Sequence, residues 1–203
     1  MIAVIDYGMG NIHSVRKALE VKGAKVKVTS LASDIESCQK LVLPGVGAFA
    51  DAMQELAKLG LVSLLQSQIK LGKPFLGICL GMQLLFEKSS EAKGVAGLGI
   101  LKGSVELLDR KRSKKVPQIG WNQLKFAPGE CPLLQGLEDN SYVYFCHSYY
   151  PKPADKGCIA ATTDYGVDFA SCICKDNIYG VQFHPEKSQG VGLKIVENFI
   201  KLC

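Results

Sequence analysis

The sequence predicts an α/β fold: an open, mostly parallel, twisted sheet flanked by helices, with additional antiparallel strands in the C-terminal half. Two observations predict it. Up to about residue 100, short apolar runs alternate with stretches whose apolar residues recur at helical spacing, the β-α-β order of a parallel sheet. Beyond that point the texture changes to short strands joined by turn signals, closed by one last helical stripe.

Taken in order, Ile2–Ile5 reads as a buried first strand; Asp6 interrupts the run and no basic segment precedes it, so it is not a signal peptide. Ile12, Val15 and Leu19 mark the apolar face of the helix that follows. Residues 25–29 form a second strand and residues 41–43 a third, which is expected to stop at Pro44-Gly45. Phe49, Met53 and Leu56 form another helical stripe, and Leu61, Leu64 and Leu65 a further one. Residues 74–78 are a strand, and Met82-Gln83-Leu84-Leu85-Phe86 reads as a helix start. In the second half, strands are expected at 105–108, 123–126, 142–146, 159–163, 169–174 and 178–183. Asp164-Tyr165-Gly166 and Asp176-Asn177 supply turns between them. Leu193, Val196 and Ile200 share one face of the final helix. No linker or repeat divides the chain, so residues 1–203 are expected to form one domain.

Composition excludes several classes of protein. At 47% hydrophobic and 21% charged, the chain is not mainly disordered, and no apolar run is long enough to span a membrane. The net charge of +5 suggests nucleic acid until it is located. Arg110, Lys111, Arg112, Lys114 and Lys115 supply five of the 24 basic residues, and the other 19 equal the 19 acidic ones. The excess is one local run, read as a solvated loop, and no nucleic-acid partner is expected. Eight cysteines in a chain of this size, mostly in strand-like segments, read as reduced thiols of a cytoplasmic protein. Cys172-x-Cys174 lacks zinc-site spacing. Gly8-Met9-Gly10 begins like a dinucleotide fingerprint, but its third glycine would fall at His13. No cofactor and no metal are expected.

The stretch that carries chemistry is Gly77-Ile78-Cys79-Leu80-Gly81, between a strand and a helix start. This G-x-C-x-G is the thiol version of a nucleophile elbow, whose turn is too tight for a Cβ on either side. At a helix N-terminus, free backbone N–H groups favour thiolate over thiol. Alone, the pentapeptide also fits a buried cysteine beside two turn glycines. A cysteine nucleophile needs a base, and the chain offers His13, His147 and His184. His13 falls in the first turn of a helix, facing solvent, and His147 at the end of an apolar strand. His184 ends a strand and precedes Pro185, which holds it extended, so that Glu186 projects on the same side. A carboxylate there fixes the imidazole tautomer and stabilises its charged form. Cys79, His184 and Glu186 would each lie at a strand C-terminus, the edge where open α/β sheets bind ligands. Pro44-Gly45-Val46-Gly47 ends there too, and its backbone, with the N–H of Leu80, would form an oxyanion hole.

These segments resemble the class I (triad) glutamine amidotransferases. The resemblance runs nearly end to end, through Asp6-Tyr7-Gly8-Met9-Gly10-Asn11, Pro44-Gly45-Val46-Gly47-Ala48-Phe49, the elbow, Gly120-Trp121-Asn122, Tyr144-Phe145-Cys146-His147-Ser148-Tyr149 and Phe183-His184-Pro185-Glu186-Lys187-Ser188. Within that family they look most like the glutaminase subunits of imidazole glycerol phosphate synthase. The resemblance implies a single glutamine amidotransferase domain over 1–203. It implies a Cys79–His184–Glu186 triad that hydrolyses glutamine through a γ-glutamyl thioester, with backbone N–H groups of Leu80 and Val46 holding the oxyanion. Gly47, Gln83, Ser148 and Tyr149 would line the glutamine pocket. The implied partner is a (β/α)8-barrel cyclase subunit, which receives the ammonia to make imidazole glycerol phosphate and an aminoimidazole carboxamide ribotide. Asn11, Trp121, Asn122 and Lys187 are the expected docking residues. Cys146 stands where an aliphatic residue is more usual, and is expected beside the strand core. Two other readings compete: a different glutaminase or γ-glutamyl hydrolase of the superfamily, and a catalytically silent regulatory module.

Overall fold

A computed structural model of the chain describes every residue except Arg110, Arg112 and Lys114. The basic run therefore falls partly outside the described residues; Lys111 and Lys115 within it are exposed. The first half runs β1 (Ile2–Ile5), α1 (Ile12–Val21), β2 (Val26–Thr29), α2 (Ala32–Ser37), β3 (Lys40–Gly45), α3 (Phe49–Lys58), α4 (Leu61–Lys70) and β4 (Phe75–Cys79). A single helical turn, α5 (Leu80–Gln83), leads into β5 (Phe86–Ser89), β6 (Leu101–Leu107), β7 (Gln118–Gln123), β8 (Lys125–Phe126) and β9 (Tyr142–His147). Then follow β10 (Tyr149–Pro153), β11 (Ile159–Asp164), β12 (Asp168–Lys175), β13 (Ile178–Val181) and α6 (Gln189–Leu202).

Eight strands form the central sheet in the order β2-β1-β3-β4-β13-β12-β11-β8. β2, β1, β3, β4 and β13 are parallel; β12, β11 and β8 extend the sheet antiparallel. The predicted fold class is the observed one. Buried central strands carry side chains to two cores by simple alternation. Ala3, Ile5, Leu41, Leu43 and Phe75 face one core, shared with Ile35 of α2, Phe49 of α3 and Leu65 of α4. Ile2, Val4, Val42, Leu76 and Ile78 face the other, shared with Val15 and Leu19 of α1 and Phe199 of α6. A three-stranded sheet, β10-β6-β5, and the two-stranded ribbon β7–β9 complete the fold.

The structure corrects the sequence reading in several places. β3 does not stop at Pro44-Gly45 but runs through them, pairing Pro44 with Ile78 and Gly45 with Cys79. Proline is tolerated there because β1 pairs with β3 only as far as Val42, leaving that flank open. The helix after β4 lasts one turn. The carbonyls of Leu84 and Leu85 accept the N–H groups of Leu98 and Leu101 (2.8 and 2.9 Å), and the chain then turns into β5. The expected strand at 123–126 divides at the buried Leu124, its first part pairing with β9 and its second with β11. The elements α2, β5, β7 and β10 were not anticipated. β10 carries Pro151 and Pro153, a pattern that argues against a strand except at a sheet edge, which is where β10 lies. On α6 the buried face is Gly192, Ile195, Val196 and Phe199, with Leu193 and Ile200 only half-buried. All eight cysteines are free thiols. No helix among the described residues is long and apolar enough to cross a membrane.

Candidate active site

Three strand ends converge at one edge of the central sheet. β4 lies between β3 and β13, and the register sets Gly45 against Cys79 and Val181 against Ile78. Cys79 itself has φ 54° and ψ −111°, a conformation that costs a non-glycine residue about 1–3 kcal/mol and persists only where the surroundings impose it. The flanking glycines are that imposition. A Cβ on Gly81 would stand 1.8 Å from the Leu43 carbonyl oxygen, and one on Gly77 would stand 2.6 Å from the Gly81 carbonyl oxygen. With α5 only one turn long, the macrodipole expected behind the thiol is slight. What remains is the N–H of Leu80, a first-turn amide with no partner inside the helix.

His184 sits just beyond β13 with extended backbone (φ −98°, ψ 97°), as the following proline requires. The chain does not stay extended to Glu186, as the sequence suggested: residues Pro185–Lys187 form a 3₁₀ turn. The turn nevertheless brings the Glu186 carboxylate to His184 Nδ1 at 2.9 Å, with both side chains at most 5% exposed. The His184 ring and the Cys79 thiol line the same pocket, near enough for their charges to interact. With Nδ1 engaged by Glu186, Nε2 is the nitrogen left to act on a group in the pocket. Burial alone would push the ring toward neutrality. The hydrogen bonds and negative charge of Cys79 and Glu186 outweigh it, raising the His184 pKa to about 10. Glu186 is packed among Val15, Leu19, Ile78 and Val196, and in such apolar surroundings its pairing with an imidazolium is weakly screened. The loop is knitted to β9 by Ser188, whose hydroxyl donates to the His184 carbonyl (2.7 Å) and accepts the Tyr144 N–H (2.9 Å).

These groups open on a pocket of about 300 Å³ lined by Cys79, Leu80, His184, Val46, Gly47, Gln83, Ser148 and Tyr149, among others. Every residue expected at the oxyanion hole or the glutamine pocket therefore lines one cavity with the thiol. Gly47 takes φ 98°, and a Cβ there would meet Met9 Cε at 2.8 Å. Gln83 donates to the Tyr149 carbonyl (2.9 Å) and to Gln182 Oε1 (3.1 Å). The sequence reading missed four participants. Glu91 lines the pocket and accepts the Phe49 N–H (2.9 Å). Pro117 lines it after a cis peptide bond. Gln182, wholly buried, donates to Cys79 Sγ at 3.6 Å. Cys146 is not beside the core; it is exposed, lines the pocket, and its carbonyl lies 4.0 Å from the Cys79 sulfur. No local pattern marks Glu91, while Gln182 could have been found by carrying the β4–β13 register one residue on.

The expected docking residues are placed as follows. Ile119 and Trp121 alternate along β7 opposite Cys146 and Tyr144 of β9, forming the exposed face of that ribbon with Tyr142. Trp121 meets Tyr144 edge to face at 6.1 Å, and Lys187 Nζ lies 5.8 Å over the same ring. Asn122 donates to the Asp164 carbonyl at 2.9 Å. Asn11 stands apart in sequence and caps α1, accepting the Ser14 N–H at 3.4 Å.

Neither of the other two histidines pairs with Glu186, although His147 lines the same pocket. His13 is exposed on α1. His147 is buried between Phe145 and Phe169, with Nδ1 2.9 Å from the Tyr149 carbonyl. Burial, opposed by that hydrogen bond and reinforced by the charge of His184, lowers its pKa to about 4. His147 is thus neutral in the folded chain while its unfolded counterpart titrates near pH 6.5, so the stability it contributes is complete above that pH. That contribution is lost as pH falls through 6.5 toward 4, by about 3 kcal/mol in total. Urea unfolding over this range should show a steeper acid loss for the wild type than for His147→Phe. Equal slopes would contradict the assignment.

A thiol, an imidazole and a carboxylate gathered at a strand-end elbow define a class of protein, and comparison with known proteins names it. The profile of the glutamine amidotransferase class-I family matches residues 3–202. The chain is 48% identical over 204 residues to the imidazole glycerol phosphate synthase subunit HisH of Methanocaldococcus jannaschii, covering all of both chains. It is 55% identical over 197 residues to the HisH of Aquifex aeolicus, covering 97% of this chain and 94% of that one. A crystal structure of a glutamine amidotransferase, 17% identical, superposes with a TM-score of 0.75 over 95% of both chains and attests the fold. The chain belongs to the class-I glutamine amidotransferases and, within them, to the family of imidazole glycerol phosphate synthase subunits HisH.

Proposed function

We propose that this chain hydrolyses glutamine to glutamate and ammonia, with Cys79, His184 and Glu186 as the catalytic triad, and delivers the ammonia to a synthase partner. The observation that carries the reading is a thiol and an imidazole at the wall of one pocket of about 300 Å³, the imidazole paired at 2.9 Å with a buried carboxylate. The Cys79 thiolate attacks the carboxamide carbon of glutamine, and the oxygen becomes an oxyanion held by the N–H groups of Leu80 and Val46. As the intermediate collapses, the C–N bond breaks, His184 protonates the departing nitrogen, and a γ-glutamyl thioester remains on Cys79. His184, now neutral, takes a proton from water, which attacks the thioester and releases glutamate and thiolate. Glu186 holds the ring in the tautomer that both halves need. Gly47, Gln83, Ser148 and Tyr149 surround the side chain of the substrate. Glu91 supplies a carboxylate at the pocket for the α-ammonium group. On this reading residues 1–203 act as one amidotransferase domain.

Free ammonia protonates in bulk water and then ceases to be a nucleophile, so the product is useful only if passed on directly. The relatives are named as subunits of imidazole glycerol phosphate synthase. The partner we propose is its (β/α)8-barrel cyclase subunit, which uses the ammonia to form imidazole glycerol phosphate and an aminoimidazole carboxamide ribotide. Docking falls to the exposed ribbon face with Trp121, Asn122 and Lys187, together with Asn11. Supporting this, Trp121 is 47% and Ile119 61% exposed, while Cys146 and Lys187 of the same region line the pocket. Glutaminase assay of the purified chain, with and without the barrel subunit and its nucleotide, tests the function. Turnover that rises with the partner is expected; no turnover with both present would end the proposal. In the same titration Trp121→Ala should weaken partner affinity by about tenfold or more, as loss of an interfacial tryptophan does. Unchanged affinity would remove Trp121 from the interface.

A further inference from the structure

The Cys79 sulfur has a neighbour to which the mechanism above gives no part. Val181 pairs with Ile78 in the parallel ladder, so Gln182 falls beside Cys79 at the next step. The Gln182 side chain is wholly buried, and its Nε2 donates to Cys79 Sγ at 3.6 Å. Its Oε1 accepts from Gln83 Nε2 at 3.1 Å, and that nitrogen also donates to the Tyr149 backbone carbonyl at 2.9 Å.

The direction of this chain is set at its far end. A backbone carbonyl only accepts, so Gln83 must turn its NH₂ group toward Tyr149. An NH₂ group only donates, so Gln182 must turn its oxygen toward Gln83 and its own NH₂ group toward sulfur. Flipping Gln182 would set donor against donor, and flipping Gln83 acceptor against acceptor, in a buried site. A neutral thiol is a weak acceptor and a charged sulfur a strong one, so a donor fixed in this orientation grips the sulfur most firmly when it is the attacking nucleophile.

Resting on the reading of Cys79 as nucleophile, we infer that Gln182 is a positioning residue of this site, whose amide, oriented by Gln83, holds the Cys79 sulfur in place for attack. Gln182→Leu removes the donor at similar volume. Gln182→Glu keeps an acceptor toward Gln83 and puts an oxygen where the donor stood. Two readouts apply to the full chain. The first is the pH profile of Cys79 alkylation by iodoacetamide, followed by mass spectrometry of the Cys79 peptide. The second is kcat and KM for glutamine with the barrel subunit bound. Both variants should alkylate about tenfold more slowly at each pH of the profile and lose about tenfold in kcat with a smaller change in KM. Should Gln182→Leu fail to fold, Gln182→Glu decides alone. Wild-type alkylation and kcat, whatever happens to the melting temperature, would reduce Gln182 to a packing residue and overturn the inference. That outcome, combined with an inactive Cys79→Ala, would refute Gln182 alone; turnover by Cys79→Ala would refute the nucleophile.

Discussion

Replacing Cys79 by alanine should abolish ammonia release from glutamine, a loss of about 10⁴-fold or more in kcat, while fold and partner binding persist. The size of the effect follows from the chemistry. Without sulfur no thioester forms, and what remains is a pocket that binds glutamine beside a histidine and water. The tolerance follows from the packing. Alanine removes a single sulfur atom, and the unusual backbone at position 79 is imposed by the close approach of Gly77, Gly81 and Leu43, which the substitution leaves in place. Ammonia production by the alanine variant is measured in a coupled glutamate assay, with circular dichroism and co-purification as controls. A variant that retains wild-type turnover would mean that the nucleophile lies elsewhere.

His184→Ala should cost nearly as much, and the double variant with Cys79→Ala should be no worse than either single one, because the two act as a unit. On the mechanism proposed above, the imidazole serves both halves of the reaction, as the proton donor to nitrogen and then as the base for water. Its raised pKa, about 10, has a consequence for pH dependence. The charged ring survives well above neutrality, so kcat/KM should hold across the neutral range and fall on the alkaline side only as the ring deprotonates. The same sign governs stability. The contribution of the charged His184 is complete below its unfolded value near 6.5 and is lost as pH rises through the folded value. Glu186→Ala should impair turnover less than either, since the ring would stay in the pocket with the thiol while losing the group that fixes its tautomer. An alkaline limb unchanged in Glu186→Ala would show that the carboxylate does not set the charge of the ring.

How much of this was readable in the chain depended on whether a feature was local. Short apolar runs marked the strands of the β1–β4 core and period-3.6 patterns marked α1, α3 and α4, because the strands are buried and each helix packs one face on the same sheet. The elbow was legible because its two glycines answer to contacts within a few residues and one neighbouring strand. His184 and Glu186 were legible through the restriction that Pro185 places on its predecessor, although the 3₁₀ turn that joins them was not. What escaped was decided by distant segments. The helix expected after the elbow is cut short because Leu98 and Leu101 claim the carbonyls of Leu84 and Leu85. β10 was hidden by prolines that only an edge position excuses. Glu91 reaches the pocket from the far side of β5, and no spacing rule links it to Cys79. The class of chemistry was therefore available from three residues, whereas the shape of the pocket needed the whole fold.

The decisive measurement is the covalent state of residue 79 during turnover. The assembled complex would be mixed with glutamine, quenched in acid within the first turnovers, and digested for mass spectrometry. A γ-glutamyl group on the Cys79 peptide, absent from Cys79→Ala and accumulating when the water step is slowed, is the expected result. Steady glutamate production with the Cys79 sulfur free at every time point, and no adduct under any quench, would contradict it.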